Sequence, residues 1–364
     1  MLITGVAILI VVASVILFLN GAPFGSFPFG EGLKKIQQSP NFRNGQFQNL
    51  SFTPSLTDGA SFPGVLKEFF FDKSKINIPP APLPSKKTDL LHLVPEKNIL
   101  VWFGHSSYFM QVDGKKILVD PVFSGNASPM SFTTKSFKGS DIYSVNDLPH
   151  IDYLFISHDH WDHLDYETIL QLKSKVTKII TGLGVASHLE FWGYKKDWIE
   201  ELDWNEQIIL EDGFKVNTVS ARHFSGRGLK RNGSIWMSFV FNTPSKRIFI
   251  GGDSGYDRHF AEIGKQFGPF DLVILEDGQY NKNWKNIHMM PEETVQAAID
   301  LGAKKLLPVH WGKFALSVHA WNEPIIRIKK EADFKNLDLL HPMIGELVDL
   351  DNEQVFSAWW EGIN

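Results

Sequence analysis

Directly behind the apolar stretch Tyr153–Ile156 the chain reads Ser157-His158-Asp159-His160-Trp161-Asp162-His163-Leu164-Asp165. His158, His160, Asp162 and His163 put four metal-capable side chains within six residues. After a buried strand such groups need partners, because an unpaired charge or imidazole in a protein interior is costly. Two ions can share the segment, with His158 and His160 on one and Asp162 and His163 on the other. Three more donors stand at the ends of predicted strands: His223 after Phe214–Ser220, Asp253 after Arg247–Ile250, and His310 after Leu306–Val309. Imidazole and carboxylate ligands suit zinc, with Mn and Fe as alternatives. The chain has no cysteine, which excludes disulfides, zinc fingers, iron–sulfur clusters and a thiol nucleophile.

With 364 residues, 43% hydrophobic and 21% charged, the chain is long and apolar enough to bury a core. Its net charge of −5 argues against a nucleic-acid partner. The first charged side chain is Glu31, behind an almost unbroken apolar run from Leu2 to Leu19. As a helix that run rises about 27 Å, close to the roughly 30 Å hydrocarbon core of a bilayer. No Lys or Arg precedes it and no clean small-x-small cleavage site follows, so an uncleaved single-span membrane anchor fits better than a signal peptide. Lys34 and Lys35 lean the following domain towards the cytoplasm. The expected organisation is an anchor over 1–20, a linker and loop-rich extension over 21–97, and a catalytic domain over 98–364. Within the extension, Val65–Phe71 (VLKEFFF) is dense in apolar residues. It has two readings, packing onto the main domain or facing a membrane, and packing is favoured because most apolar clusters are core.

From Ile99 the pattern is regular. Ile99–Phe103, Tyr108–Val112 and Ile117–Val119 read as strands, the last two joined at the Asp113-Gly114 turn. Further strands are expected at 178–181, 235–241, 247–250, 272–275 and 306–309, and helices at 166–175, 185–192 and 291–301. Hairpins followed by strand–helix units predict a layered α/β or α+β fold.

These motifs resemble the metallo-β-lactamase superfamily and, within it, the N-acyl-phosphatidylethanolamine-hydrolysing phospholipase D group. The likeness runs from about Ile99 to Pro324. It includes Asp120-Pro121-Val122-Phe123, the His158–Asp165 loop, Gly251-Gly252-Asp253-Ser254-Gly255-Tyr256, Pro291-Glu292-Glu293 and His310-Trp311-Gly312-Lys313-Phe314-Ala315. It implies an αββα sandwich with a binuclear site. His158, His160 and His223 would hold the first metal, Asp162, His163 and His310 the second, and Asp253 would bridge them. It also implies two Zn2+ ions and attack on phosphorus by a metal-bridged hydroxide, with Asp162 or Asp253 orienting the nucleophile. His288, just before the helix at Pro291, resembles a family histidine at the site mouth and is a candidate phosphate contact. Tyr280 is a weaker one.

Other residues carry open readings. Asp120 and Asp165 either cap strand ends or hydrogen-bond a ligand imidazole. His105 is read as structural. His92, His150, His188, His259, His319 and His341 lack metal-site spacing. Arg222, Arg227, Lys230 and Arg231 form either a solvated loop or an attractor for an anionic headgroup. The expected activity is membrane-anchored hydrolysis of N-acyl-phosphatidylethanolamine to N-acylethanolamine and phosphatidic acid. The alternative is a lactonase or phosphodiesterase acting on a small soluble substrate. A nuclease and a tethered metal-binding scaffold are more distant options, and the oligomeric state is not specified.

Overall fold

The computed structural model describes residues 2–363, apart from 73 and 75. The apolar run forms helix α1 (Leu2–Leu19), with its side chains from Thr4 to Phe18 exposed. Among the described residues no helix is long and apolar enough to cross a membrane.

The extension holds more regular structure than its composition suggests. Helix α2 (Gly30–Gln37) is followed by two short strands, β1 (Phe42–Arg43) and β2 (Gln46–Phe47). Their turn, Asn44-Gly45, has both residues at positive φ, the conformation a tight hairpin requires. Helix α3 (Phe62–Lys67) starts at Ser61, whose hydroxyl accepts the Gly64 amide. Ile36, Phe47 and Leu83 are buried in the main core, so the extension is packed onto the sandwich.

The first sheet contains β3 (Ile99–Trp102), β4 (Tyr108–Val112), β5 (Lys115–Val119), β6 (Ile151–Ile156), β7 (Val176–Gly182) and β8 (Ile199–Leu202). Helices α4 (Tyr166–Leu172) and α5 (Ala186–Phe191) connect its later strands. The second sheet contains β9 (Gln207–Ile209), β10 (Lys215–Ser220), β11 (Met237–Asn242), β12 (Arg247–Ile250), β13 (Leu272–Glu276), β14 (Lys305–Val309) and β15 (Asp338–Leu339). Helices α6 (His259–Phe267), α7 (Pro291–Leu301) and α8 (Glu323–Lys335) intervene. A last strand, β16 (Leu347–Asp349), returns to pair with β3. The orders are β16-β3-β4-β5-β6-β7-β8 and β15-β14-β13-β12-β11-β10-β9. In each sheet the hairpin-connected strands are antiparallel and the helix-connected ones parallel.

The two-residue period of β6 shows how the layers form. Tyr153 and Phe155 point into the core between the sheets, while Leu154 and Ile156 join Ile169, Leu172 and Leu189 under α4 and α5. Phe155 meets Phe239 and Phe241 of the facing sheet at ring distances of 5.1 and 5.3 Å. The result is the expected mixed α/β sandwich. It adds β8, β15, β16, α6 and α8 to the elements read from the sequence.

Candidate metal centre

Donors arrive from the C-terminal ends of strands in both sheets. The loop after β6 supplies His158, His160, Asp162 and His163. The ends of β10, β12 and β14 deliver His223, Asp253 and His310. All but His160 are buried. Two backbone details allow this convergence. Gly252 has φ 61, and a Cβ on it would lie 2.9 Å from Ser157 Cβ. His310 itself sits at φ 70, an uncommon conformation for a residue with a side chain.

His158 Nε2 lies 2.9 Å from His160 Nδ1, which in turn lies 3.2 Å from His223 Nε2. A tetrahedral ion with metal–nitrogen bonds of about 2.0–2.1 Å keeps its nitrogens about 3.3 Å apart, so the trio fits one cation. Asp253 Oδ2 stands 3.2, 3.7 and 3.8 Å from His163, His223 and His158 Nε2, and Oδ1 stands 3.3 Å from His310 Nδ1. This carboxylate is therefore central to both groups. Asp162 Oδ2 lies 3.6 Å from His163 Nε2 and 4.0 Å from His310 Nε2.

The orientation of His163 tests the fit to a metal. Its Nδ1 lies 2.8 Å from Asp120 Oδ2, which accepts the ring proton there. Its buried Nε2 has no hydrogen-bond partner and faces the Asp162 and Asp253 carboxylates. A nitrogen lone pair and two carboxylates aimed at one point need a cation between them. The donor set thus suits a metal, and the chain's candidate ligands group as the His158–His160–His223 trio and a second cluster containing Asp162, His163 and His310.

Supporting contacts decide several open readings. Asp120 accepts from His163, from the Ser157 amide (2.8 Å) and from the Ser157 hydroxyl (2.6 Å), so it orients a metal-facing ring. Asp165 instead accepts from the Phe123 and Ser124 amides and from the Thr168 hydroxyl, which ties the loop after β5 to α4. His105, read from the sequence as structural, is fully buried with Nε2 2.9 Å from Asp162 Oδ2. Its ring lies 4.1 Å from that of His310. The sequence placed it between early strands, and only the sandwich brings that loop against Asp162. Tyr280 turns away, donating to Glu323 and stacking on His319. The basic group splits. Arg227 is buried and Arg222 is tied to Phe52, Thr53 and Tyr256, while Lys230 and Arg231 are exposed.

Two contributors had no sequence signal. Asn49, from the extension, accepts the His223 amide and donates to the His223 carbonyl, fixing that ligand's backbone. Glu276, at the end of β13, is fully buried, with Oε2 2.6 Å from His288 Nδ1 and Oε1 accepting the Met289 amide. Burial pushes the Glu276 carboxyl up to about 7. Burial alone would push His288 down, but the Glu276 carboxylate carries it up to about 9. His288 lies beside His223 and His310, with ring distances of 4.9 and 5.2 Å.

A cavity of about 370 Å³ opens onto these groups. Its polar floor holds His160, Asp162, His223, Asp253, His288 and His310, and its walls include Leu56, Phe62, Phe224, Trp284, Ile287 and Leu316.

Residues 115–311 match the family described as Beta-lactamase superfamily domain. The chain belongs to the metallo-β-lactamase superfamily. Like other members it is a metal-dependent hydrolase. An uncharacterised protein of Mycobacterium tuberculosis is 36% identical over 94% of this chain and 93% of its own length. The N-acyl-phosphatidylethanolamine-hydrolyzing phospholipase D 1 of Caenorhabditis elegans is 27% identical over 87% of this chain and 94% of its own. Among solved structures, a metallo hydrolase of Ignicoccus hospitalis superposes with a TM-score of 0.54 at 20% identity. It covers 69% of this chain and 97% of its own, a likeness of fold.

Proposed function

We propose that this hydrolase is a membrane-associated, binuclear zinc phosphodiesterase that converts N-acyl-phosphatidylethanolamine to N-acylethanolamine and phosphatidic acid. The observation that carries the proposal is the cavity, in which a metal-fitting floor lies under walls apolar enough for a lipid. The named activity of the C. elegans relative supports the choice of substrate. The exposed apolar surface of α1 supports membrane association through Leu2–Leu19, and Lys34 and Lys35 behind it favour a cytoplasmic catalytic domain.

In this mechanism His158, His160 and His223 would hold one ion and Asp162, His163 and His310 the other, with Asp253 available to both. Bound metal supplies a water nucleophile active near neutral pH and charge stabilisation at the phosphoryl group. Asp120 and His105 orient His163 and Asp162. His288, held at Nδ1 by Glu276, has Nε2 left for a phosphoryl oxygen. Water adds at phosphorus, the bond to the ethanolamine oxygen breaks, and that oxygen takes up a proton. The apolar walls exclude bulk water and accept acyl chain.

The test is purified protein in mixed micelles with N-acyl-phosphatidylethanolamine. Products are followed by mass spectrometry, metal content is measured on the same sample, and Asp253→Asn is the control. The expected result is metal-dependent N-acylethanolamine release that is lost in the variant. Two bound metals with no lipid cleavage would overturn the lipid substrate and favour a small soluble lactone or phosphodiester.

A further inference from the structure

Helix α3 and the turn that follows it are oriented the wrong way round for a helix packed on a core. Their polar side faces the protein, where Glu68 accepts from Asn281 (3.1 Å) and Asn283 (2.6 Å). Their apolar side faces out: Phe62, Leu66, Phe70 and Phe71 are all exposed, Phe71 by 80%. The favoured packing of Val65–Phe71 onto the main domain is therefore not what forms. Phe62 lines the metal cavity, and Leu66, Phe70 and Phe71 continue its exposed apolar surface along α3 and the turn after it.

A second lip of the mouth has matching chemistry. Arg231 lines the cavity, its guanidinium 4.8 Å from the Phe224 ring, and Leu229 and Lys230 beside it are exposed, Leu229 by 88%. Aromatic and aliphatic side chains mixed with cations suit a layer of anionic headgroups over acyl chains.

The same lip is fastened to the end of α1. The buried Arg227 guanidinium donates to the Pro23 carbonyl (2.9 and 3.0 Å) and to the Asp159 and Leu164 carbonyls of the metal loop (2.9 and 2.6 Å). It also lies 3.9 Å from the Trp161 ring, against which Phe24 packs edge-on. Lys230 Nζ sits 4.9 Å from the Phe27 ring. The apolar helix and the cavity mouth thus belong to one side of the molecule.

We propose that the rim formed by Phe62, Leu66, Phe70, Phe71, Leu229 and Arg231 docks on a phospholipid bilayer, so that the metal cavity opens into the lipid interface. The choice of partner rests on the lipid reading of the cavity.

The cysteine-free chain makes the test clean. Phe70→Cys and Leu229→Cys are each introduced into the full chain and labelled with a polarity-sensitive fluorophore. Each is then reconstituted into phosphatidylcholine–phosphatidylglycerol vesicles. Phe334→Cys on α8, a site 75% exposed, is the control. Labels at 70 and 229 should shift emission to shorter wavelength and be quenched by acyl-chain spin labels several times more strongly than the label at 334. Equal quenching at all three sites, or failure to associate with vesicles, overturns the proposal. So does a blue shift that needs no vesicles and grows with protein concentration, which would place a second copy of the chain on this face. Quenching requires no turnover. Docking without N-acylethanolamine release would therefore sink only the substrate, and release without quenching would sink only the surface.

Discussion

Glu276 lies outside the cavity lining, behind His288 and close to His310, and its carboxylate is what holds a proton on His288. Glu276→Gln keeps the size of the side chain and an acceptor for the Met289 amide while removing the charge. Loss of such an outer partner is expected to lower kcat about 10- to 100-fold. KM and the melting temperature should stay near those of the unmodified protein. Steady-state kinetics and thermal unfolding on one preparation would check this, and an unchanged kcat would remove Glu276 from the mechanism. The residue had no signature in the sequence, because its partner lies 12 positions away across a turn and only the sheet sets the distance. The seven candidate ligands were legible for the opposite reason. Four are local to one loop, and each of the others directly follows an apolar strand. Asp120 and Asp165 show the limit of that logic: both are carboxylates beside the metal loop, and only tertiary contacts separate a ligand orienter from a loop cap.

Among the elements, α6 and α7 meet where Gly264 leaves no room for a side chain. A Cβ at that position would lie 2.0 Å from the Asp300 carbonyl oxygen. Gly264→Ala should force the helices apart and destabilise the protein by about 1–3 kcal/mol, in spite of alanine's better helix propensity. Urea unfolding would show it, and a stabilised variant would mean that the two helices separate at little cost. Phe260, Ile263 and Phe267 keep the spacing of one helix face, so α6 was legible in the sequence although it was not read there. Strand β16 was missed because three residues are too few to display alternation. The hairpin at Asp113-Gly114 and the helix opening at Pro291 were legible, since turn and first-turn preferences are local properties of the residues.

For the molecule as a whole, the metal centre is a joint between the sheets. The first sheet contributes the loop after β6, and the second contributes the residues after β10, β12 and β14. Bound metal should therefore stabilise the entire sandwich, by about 2.7 kcal/mol at a free concentration 100 times its dissociation constant. Calorimetry with and without a chelator should show one cooperative transition that moves to lower temperature when metal is stripped. Identical melting curves would mean that the sheets hold together without the ions.

The pairing of β16 with β3 has a consequence for the chain as it is being made. Leu347–Asp349 supplies the neighbour for Ile99–Trp102, so one side of β3 stays unpaired until a strand far later in the chain has been made. His310, the final metal-facing donor, also arrives late. A chain stopped before His310 would present an apolar strand edge and also lack the donor that completes the site. A chain shortened ahead of β16 should therefore be prone to edge-to-edge aggregation through β3.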